Sequence, residues 1–171
     1  RTTHNTGVFR AYTDTMKAAR HAGILTGLPD AYARGRIIGD YRRIALYGMD
    51  YLIEQKKEDK RRLGMKEILD EETIHTLEDL SKQLDFMNQL KGLALSYGYD
   101  ISKPATTAKE AVQWLYFGYL GAIKEQNGAA NSIGRIAEFM DIYIQRDIEE
   151  GILDEVHAQE LIDDLVIKLR L

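Results

Sequence analysis

Apolar residues recur at spacings of three and four along most of the chain, which is the pattern of helices with one buried face. The sequence predicts helices over 14–21, 37–63, 65–97 and 111–123, followed by two more amphipathic helices. The first of these two carries its apolar face on Ile136, Phe139, Met140 and Tyr143. The second carries it on Ala158, Leu161, Ile162, Leu165, Val166 and Leu169. The predicted fold class is therefore mainly α, with long amphipathic helices and two structured loops.

Several helix ends carry recognisable capping residues. Thr13 or Asp14 can cap the first helix, and Gly23 suits the position just past its end. The segment 107–110 gives the capping-box pattern, a hydroxyl followed three residues later by a carboxylate. Asp154 is a suitable cap for the last helix.

The two loops, 23–36 and 127–135, are rich in glycine and other small residues. We expect the first to be tightly ordered, with a short strand at Ile24–Leu25. The helix over 65–97 has two interpretations, a coiled-coil hairpin with the preceding helix or an amphipathic helix on a globular core. In the apolar helix over 111–123, Gly118 and Gly121 leave room for another backbone to approach closely.

Composition narrows the possible functions. The 171 residues carry a net charge of −4, so no global basic field favours nucleic acid. The apolar segments are too short to span a membrane. The absence of cysteine excludes a disulfide, a thiolate metal site and a cysteine nucleophile within this chain. The four histidines show no metal-ligand spacing, so no metal site is predicted. The polar start at Arg1 and the running helical pattern at Leu171 suggest an internal fragment, truncated at both ends.

Arginines crowd the first loop and the start of the helix that follows it. Arg34, Arg36, Arg42 and Arg43 lie beside glycines, and a guanidinium binds a carboxylate or phosphate with two parallel hydrogen bonds. One interpretation is a loop that recognises a small anion. The other is structural, with arginine paired to Asp30 or Asp40.

The second loop and the start of the chain also have two interpretations each. Asn127, Ser132 and Arg135 stand among small residues that would admit either a substrate or a tightly crossing chain. Phe9 could belong to the core or could be a stacking platform. From the residues alone, the chain is a mainly helical protein that either binds a small anion or acts as a helical scaffold.

Five blocks of sequence in the same order resemble the pyruvate formate-lyase family of glycyl radical enzymes. These blocks are residues 3–9, 25–43, 97–102, 114–119 and 126–130. The resemblance implies a fragment from the N-terminal half of a single catalytic domain, 1–171 here. It also implies that the parent is built on a ten-stranded α/β barrel, to which this chain contributes mostly outer helices and active-site loops.

The family's activity, implied for the parent, is formate C-acetyltransferase: pyruvate and coenzyme A become acetyl-CoA and formate through glycyl and thiyl radicals. By matching motif, Arg36 corresponds to an arginine that binds the pyruvate carboxylate, and Ala129 to a residue beside the bound pyruvate. Phe9 corresponds to a position that stacks on the adenine of CoA. The resemblance further implies a cytoplasmic homodimer whose radical is installed by a radical-SAM activating enzyme, with no nucleic-acid or membrane partner.

The isolated chain is expected to be inactive, because the family's cysteine pair and radical glycine have no counterpart in it. One local difference is Asn131–Ser–Ile133, where the family pattern leads us to expect methionine, serine and a bulky apolar residue. Two alternatives stay open: another glycyl radical enzyme, such as a 2-oxobutyrate formate-lyase or a diol dehydratase, and a non-catalytic helical interaction module.

Overall fold

A computed structural model describes residues 10–25, 39–66, 70–126 and 131–170. These residues are mainly helical and contain no β-strand, which confirms the predicted fold class. The main helices are α1 (Asp14–His21), α2 (Arg43–Tyr47), α3 (Met49–Gly64), α4 (Glu71–Ser96), α5 (Ala108–Gln126), α6 (Ile136–Glu149) and α7 (Glu155–Arg170). No helix in the described ranges is both long and apolar enough to cross a membrane.

The chain divides into two compact units. The described residues of one unit come from Arg1–Asp40 and Tyr119–Gly134, and those of the other come from Tyr41–Gly118 and Arg135–Leu171. The division falls within α5, between Gly118 and Tyr119.

In the first unit, α1 begins and ends as its sequence predicts. The Thr13 hydroxyl accepts the backbone N–H of Met16, and Gly23 adopts a φ of 73° just past the helix. The expected strand at Ile24–Leu25 is wrong. Both backbone N–H groups donate to the carbonyl of Ala19, so these residues satisfy the open end of α1 rather than a sheet.

In the second unit, the single helix predicted over 37–63 is instead two helices, α2 and α3. Gly48 separates them with a φ of 74°, in the left-handed region where a helix cannot continue. A Cβ added at Gly48 would lie 2.5 Å from the carbonyl oxygen of Ser102. The glycine therefore lets another stretch of backbone pass against the helix junction.

That stretch is the segment 101–105, which hydrogen-bonds to the junction along its length. The N–H groups of Met49 and Asp50, free at the start of α3, donate to the carbonyls of Ile101 and Ser102 at 2.8 and 3.2 Å. Ala105 donates back to the carbonyl of Ala45 at 2.8 Å. The segment therefore replaces the helical hydrogen bonds lost at the break.

Helices α3 and α4 lie antiparallel as a helical hairpin. Asp50, near the start of α3, pairs with Lys91, near the end of α4, and Lys66 donates to Thr73 at the other end. Lys91 had interrupted the apolar pattern of α4, and this ion pair explains its position. The helix begins at Glu71 rather than residue 65, because Asp70 caps it by accepting the N–H of Thr73 at 2.8 Å.

The core of the second unit lies around α5 and α6. The buried side chains of α5 include Trp114, Leu115 and Phe117, which confirms that Trp114 is a core residue. The predicted face of α6 is also confirmed, since Ile136, Phe139 and Met140 are buried and Tyr143 half-buried. On α7, Ala158 and Leu165 are buried and Leu161, Ile162 and Leu169 half-buried, but the prediction for Val166 is wrong, as 59% of it is exposed.

Candidate functional site

The three residues assigned to substrates by resemblance, Phe9, Arg36 and Ala129, lie outside the described residues. Their roles stay predictions. The described residues that flank them along the chain are 10–25, 39–40, 119–126 and 131–134, and all of these belong to one compact unit.

Within the second unit, two stretches of backbone cross closely at Gly118. A Cβ added there would lie 3.1 Å from the carbonyl oxygen of Tyr41 and 3.5 Å from Cδ1 of Ile44. The expectation that Gly118 admits a second backbone is therefore confirmed. Tyr41 follows Arg36 by five positions, and α5 runs on from Gly118 toward Ala129.

Of the four arginines near the first loop, Arg42 and Arg43 are described, and both are exposed around the start of α2. Arg34 and Arg36 lie outside the described residues. Both interpretations of Arg36, anion recognition and structural pairing, therefore stay predictions.

Two of the candidate substrate contacts of the second loop, Ser132 and Arg135, lie in the described residues, and each contacts a residue close to it in sequence. The Ser132 hydroxyl accepts the backbone N–H of Gly134 at 3.4 Å. Arg135 pairs with Glu138 at 3.6 Å, and both side chains are largely exposed. The side-chain oxygen of Asn131 is buried and accepts no hydrogen bond within the described part of the chain. Asn127 lies outside that part.

Sequence reasoning missed a buried carboxylate, Asp147 on α6, which is 1% exposed. Its Oδ2 accepts the N–H of Ala108, the first residue of α5, at 2.6 Å. Its Oδ1 accepts from Nη2 of Arg146 at 2.6 Å and from Nε at 3.0 Å. The same guanidinium donates to the carbonyl of Thr106 at 2.6 Å. The bond to Asp147, which favours the charged form, raises the pKa of Arg146.

A signal for Asp147 does exist in the sequence. The residue lies four positions after Tyr143, seven after Met140 and eleven after Ile136, so it falls on the apolar face of α6. A carboxylate on such a face indicates a buried partner. This partner is the N-terminus of α5, where the free N–H groups and the helix dipole favour negative charge.

The predicted capping box at 107–110 is half confirmed. The Thr107 hydroxyl accepts the N–H of Glu110 at 3.2 Å, as predicted. The Glu110 carboxylate reaches one residue further than expected, accepting from the N–H and the hydroxyl of Thr106 at 2.7 and 2.8 Å. The N-terminus of α5 is thus held by two carboxylates from different helices.

A separate groove of about 770 Å³ lies between the start of α5 and the loop that joins α6 to α7. Charged side chains line it, among them Lys109, Asp154 and His157. Asp154 caps α7 by accepting the N–H of His157 at 2.8 Å, and it also contacts His157 Nδ1 at 2.7 Å. These bonds lower the pKa of Asp154 and raise the pKa of His157. The described residues contain no group of three or more His, Asp or Glu side chains suited to a metal ion.

Comparison with known proteins identifies the family. The family model described as pyruvate formate lyase-like matches residues 1–171, so the chain belongs to that family. The chain is also 55% identical, over 175 aligned positions, to a formate acetyltransferase of Haemophilus influenzae. The alignment covers the whole of this chain and 23% of that relative. The chain thus spans about a quarter of the length of the curated relative it matches.

Proposed function

We propose that this chain is part of the single catalytic domain of a formate acetyltransferase. Its parent would convert pyruvate and CoA to acetyl-CoA and formate by glycyl and thiyl radical chemistry. The observation that supports this most strongly is the 55% identity to the Haemophilus enzyme along the entire chain. Function within a family depends on particular sites rather than on the fold, so the proposal needs a test at the residues that would contact the substrate.

In this proposal the parent carries a protein glycyl radical, installed by a radical-SAM activating enzyme, and works as a cytoplasmic homodimer. Pyruvate and CoA are its substrates. The 171 residues contain no cysteine, so this chain by itself offers no thiol to become a thiyl radical or to carry an acetyl group. We expect the isolated chain to form no formate.

The first experiment asks what the complete protein does. The activated enzyme is given pyruvate and CoA, and formate and acetyl-CoA are measured, with 2-oxobutyrate as a competing substrate. Turnover that prefers pyruvate supports the proposal. A clear preference for 2-oxobutyrate would instead indicate the related lyase, and dehydration of a diol without formate release would contradict the proposal.

Within the site, we propose that Arg36 binds the pyruvate carboxylate, that Ala129 lies beside the bound pyruvate, and that Phe9 stacks on the CoA adenine. Replacing Arg36 by Gln in the complete enzyme removes a charged, bidentate hydrogen bond. Such a bond is worth about 1.5–3 kcal/mol, so the KM for pyruvate should rise roughly 10- to 150-fold. Arg36→Lys should rescue only part of the loss, because an ammonium keeps the charge but not the planar fork.

Arg135→Gln is the matched control, since Arg135 is an exposed arginine in an exposed ion pair. It should leave both KM values unchanged. The glycyl radical signal in electron paramagnetic resonance verifies that each variant was activated. If Arg36→Gln behaves like Arg135→Gln, Arg36 is structural and the substrate assignment is wrong.

A further inference from the structure

A single residue, Asp147, fixes both walls of the groove between the start of α5 and the loop that joins α6 to α7. Its side chain accepts the N–H of Ala108 at 2.6 Å, and its backbone carbonyl accepts the N–H groups of Ile152 and Leu153 at 2.8 and 3.0 Å. Lys109 follows Ala108 on one wall, while Ile152 and Leu153 line the other. Since these bonds all meet at a buried residue, the groove is formed before any occupant enters it.

The groove exposes apolar side chains to water. Ile152 is 58% exposed, and Leu153 and Leu161 are half-buried along the same groove. Each Å² of apolar surface that an occupant covers is worth about 25 cal/mol. An occupant that brings an apolar side chain to Ile152 would therefore stabilise the contact.

The charged residues of the groove are mostly acidic. Asp154, Glu160 and Asp164 contribute three carboxylates, against the ammonium of Lys109 and the imidazole of His157. The lining is therefore negative whether or not His157 is protonated. Charge complementarity favours an occupant that carries lysine or arginine.

Glu160 is the carboxylate best placed to receive such a cation. Asp164 is already paired with Lys168 at 2.5 Å, and Asp154 is bonded to His157 at both its backbone N–H and its ring. Glu160 is exposed, and it forms neither an ion pair nor a hydrogen bond within the described part of the chain.

The length of the curated relative indicates where the occupant comes from. The alignment covers 23% of the Haemophilus protein, so about three quarters of a parent of that length lies outside this chain. A segment of the same polypeptide also has a much higher effective concentration at the groove than a second copy has. We propose that a segment of the parent from outside residues 1–171 docks in this groove, with an apolar side chain against Ile152 and a lysine or arginine against Glu160. This inference rests on the proposed function for the length of the parent and not for its reaction.

The test is the accessibility of residue 152 in the complete protein. Ile152→Cys is labelled with N-ethylmaleimide, and peptide mass spectrometry compares its rate with that of the same protein in urea. Rates are taken across a range of pH and compared at equal fractions of thiolate, because the thiolate is the reacting form. A docked segment should slow labelling by at least about 100-fold, since a covered site reacts only through local opening. Labelling within about tenfold of the rate in urea would overturn the proposal.

Glu160→Lys tests the charge, and Asp163→Lys is its matched control. Both residues are exposed acids on α7, but only Glu160 lines the groove. In the Ile152→Cys protein, Glu160→Lys should raise the corrected labelling rate at least about tenfold, because it sets two cations against each other. Asp163→Lys should change it by less than about twofold. Equal effects of the two substitutions would contradict the proposed cation.

Two further measurements complete the test. Protection of residue 152 should be independent of protein concentration, and protection that disappears on dilution would identify a second copy as the occupant and overturn the proposal. If Ile152→Cys does not fold, the wild-type complete protein is treated with a carbodiimide and glycinamide. Glu160 should then react at least about tenfold more slowly than Asp163, and equal rates would contradict docking. None of these readouts requires turnover, so a protein that makes no formate from pyruvate would refute the proposed function and leave this inference standing.

Discussion

The carboxylate of Asp147 on α6 accepts a hydrogen bond from the backbone N–H of Ala108, the first residue of α5, at 2.6 Å. This bond joins the end of one helix to the start of another, 39 residues away in sequence. Since Asp147 also holds the Arg146 guanidinium, a single buried carboxylate satisfies one free helix N–H and one charge. Asp147 therefore links the end of α6 to the start of α5.

Replacing Asp147 by Ala should lower the free energy of unfolding by about 1–3 kcal/mol, because it leaves the buried Ala108 N–H without its acceptor. Urea unfolding measures the loss, and faster amide hydrogen exchange at Ala108 would locate it. Asp141→Ala is the control, as Asp141 is an exposed aspartate on the same helix. Equal stability losses in the two variants would show that the buried bond contributes nothing specific.

Gly48→Ala should be among the most destabilising single substitutions, with a loss of at least about 3 kcal/mol. A Cβ at residue 48 has both an unfavourable φ of 74° and a contact of 2.5 Å with the Ser102 carbonyl. Gly98→Ala separates the two effects, because Gly98 has a φ of 82° but an added Cβ meets nothing within 4 Å. Gly98→Ala should lower the free energy of unfolding by about 1–2 kcal/mol. Thermal unfolding of both variants gives the comparison, and a Gly98→Ala cost equal to that of Gly48→Ala would contradict the proposed clash.

Alanine substitutions at two adjacent residues of α7 should differ sharply in the stability they remove. Leu165 is 2% exposed and Val166 is 59% exposed, so Leu165→Ala should cost about 2–5 kcal/mol and Val166→Ala less than about 0.5 kcal/mol. Denaturant midpoints of the two variants measure this difference. A large cost at Val166 would indicate that the apolar pattern of α7, rather than its observed packing, identifies the buried face.

The stability that the cap of α7 contributes should decrease both at high pH, through His157, and at low pH, through Asp154. The pKa of His157 is raised above 6.5 by the hydrogen bond to Asp154, so its contribution to stability is complete below pH 6.5 and is lost as the pH rises through the raised pKa. The pKa of Asp154 is lowered from 3.8 by its bonds to His157, so its contribution is complete above pH 3.8 and is lost as the pH falls through the lowered pKa. Both contributions are complete between pH 3.8 and 6.5.

Nuclear magnetic resonance titration of His157 tests this coupling. Asp154→Ser keeps a capping hydroxyl for α7 but removes the charge, so the pKa of His157 should fall back toward 6.5. A titration of His157 that is identical in the two proteins would show that Asp154 does not hold the imidazolium.

The local pattern of the sequence predicted the helices well, because a repeating apolar face and a capping residue are local signals. These signals predicted the cap of α1 at Thr13, the buried face of α6 and the core position of Trp114. The break at Gly48 was not, because glycine within an apolar repeat is compatible with a helix until another backbone occupies its open side. The strand expected at Ile24–Leu25 was wrong for a related reason: two apolar residues do not specify a partner, and the open end of α1 supplied one.

For the candidate site, the sequence by itself determined the family resemblance and the residues proposed to contact substrates, since both depend on the order of side chains along the chain. It also predicted that a glycine in α5 would admit a second backbone. Only the tertiary structure decided that this backbone belongs to Tyr41 and that Asp147 fastens the start of α5. Both are contacts between residues distant in sequence, and such contacts are set by how the helices pack and not by the periodicity of any one of them.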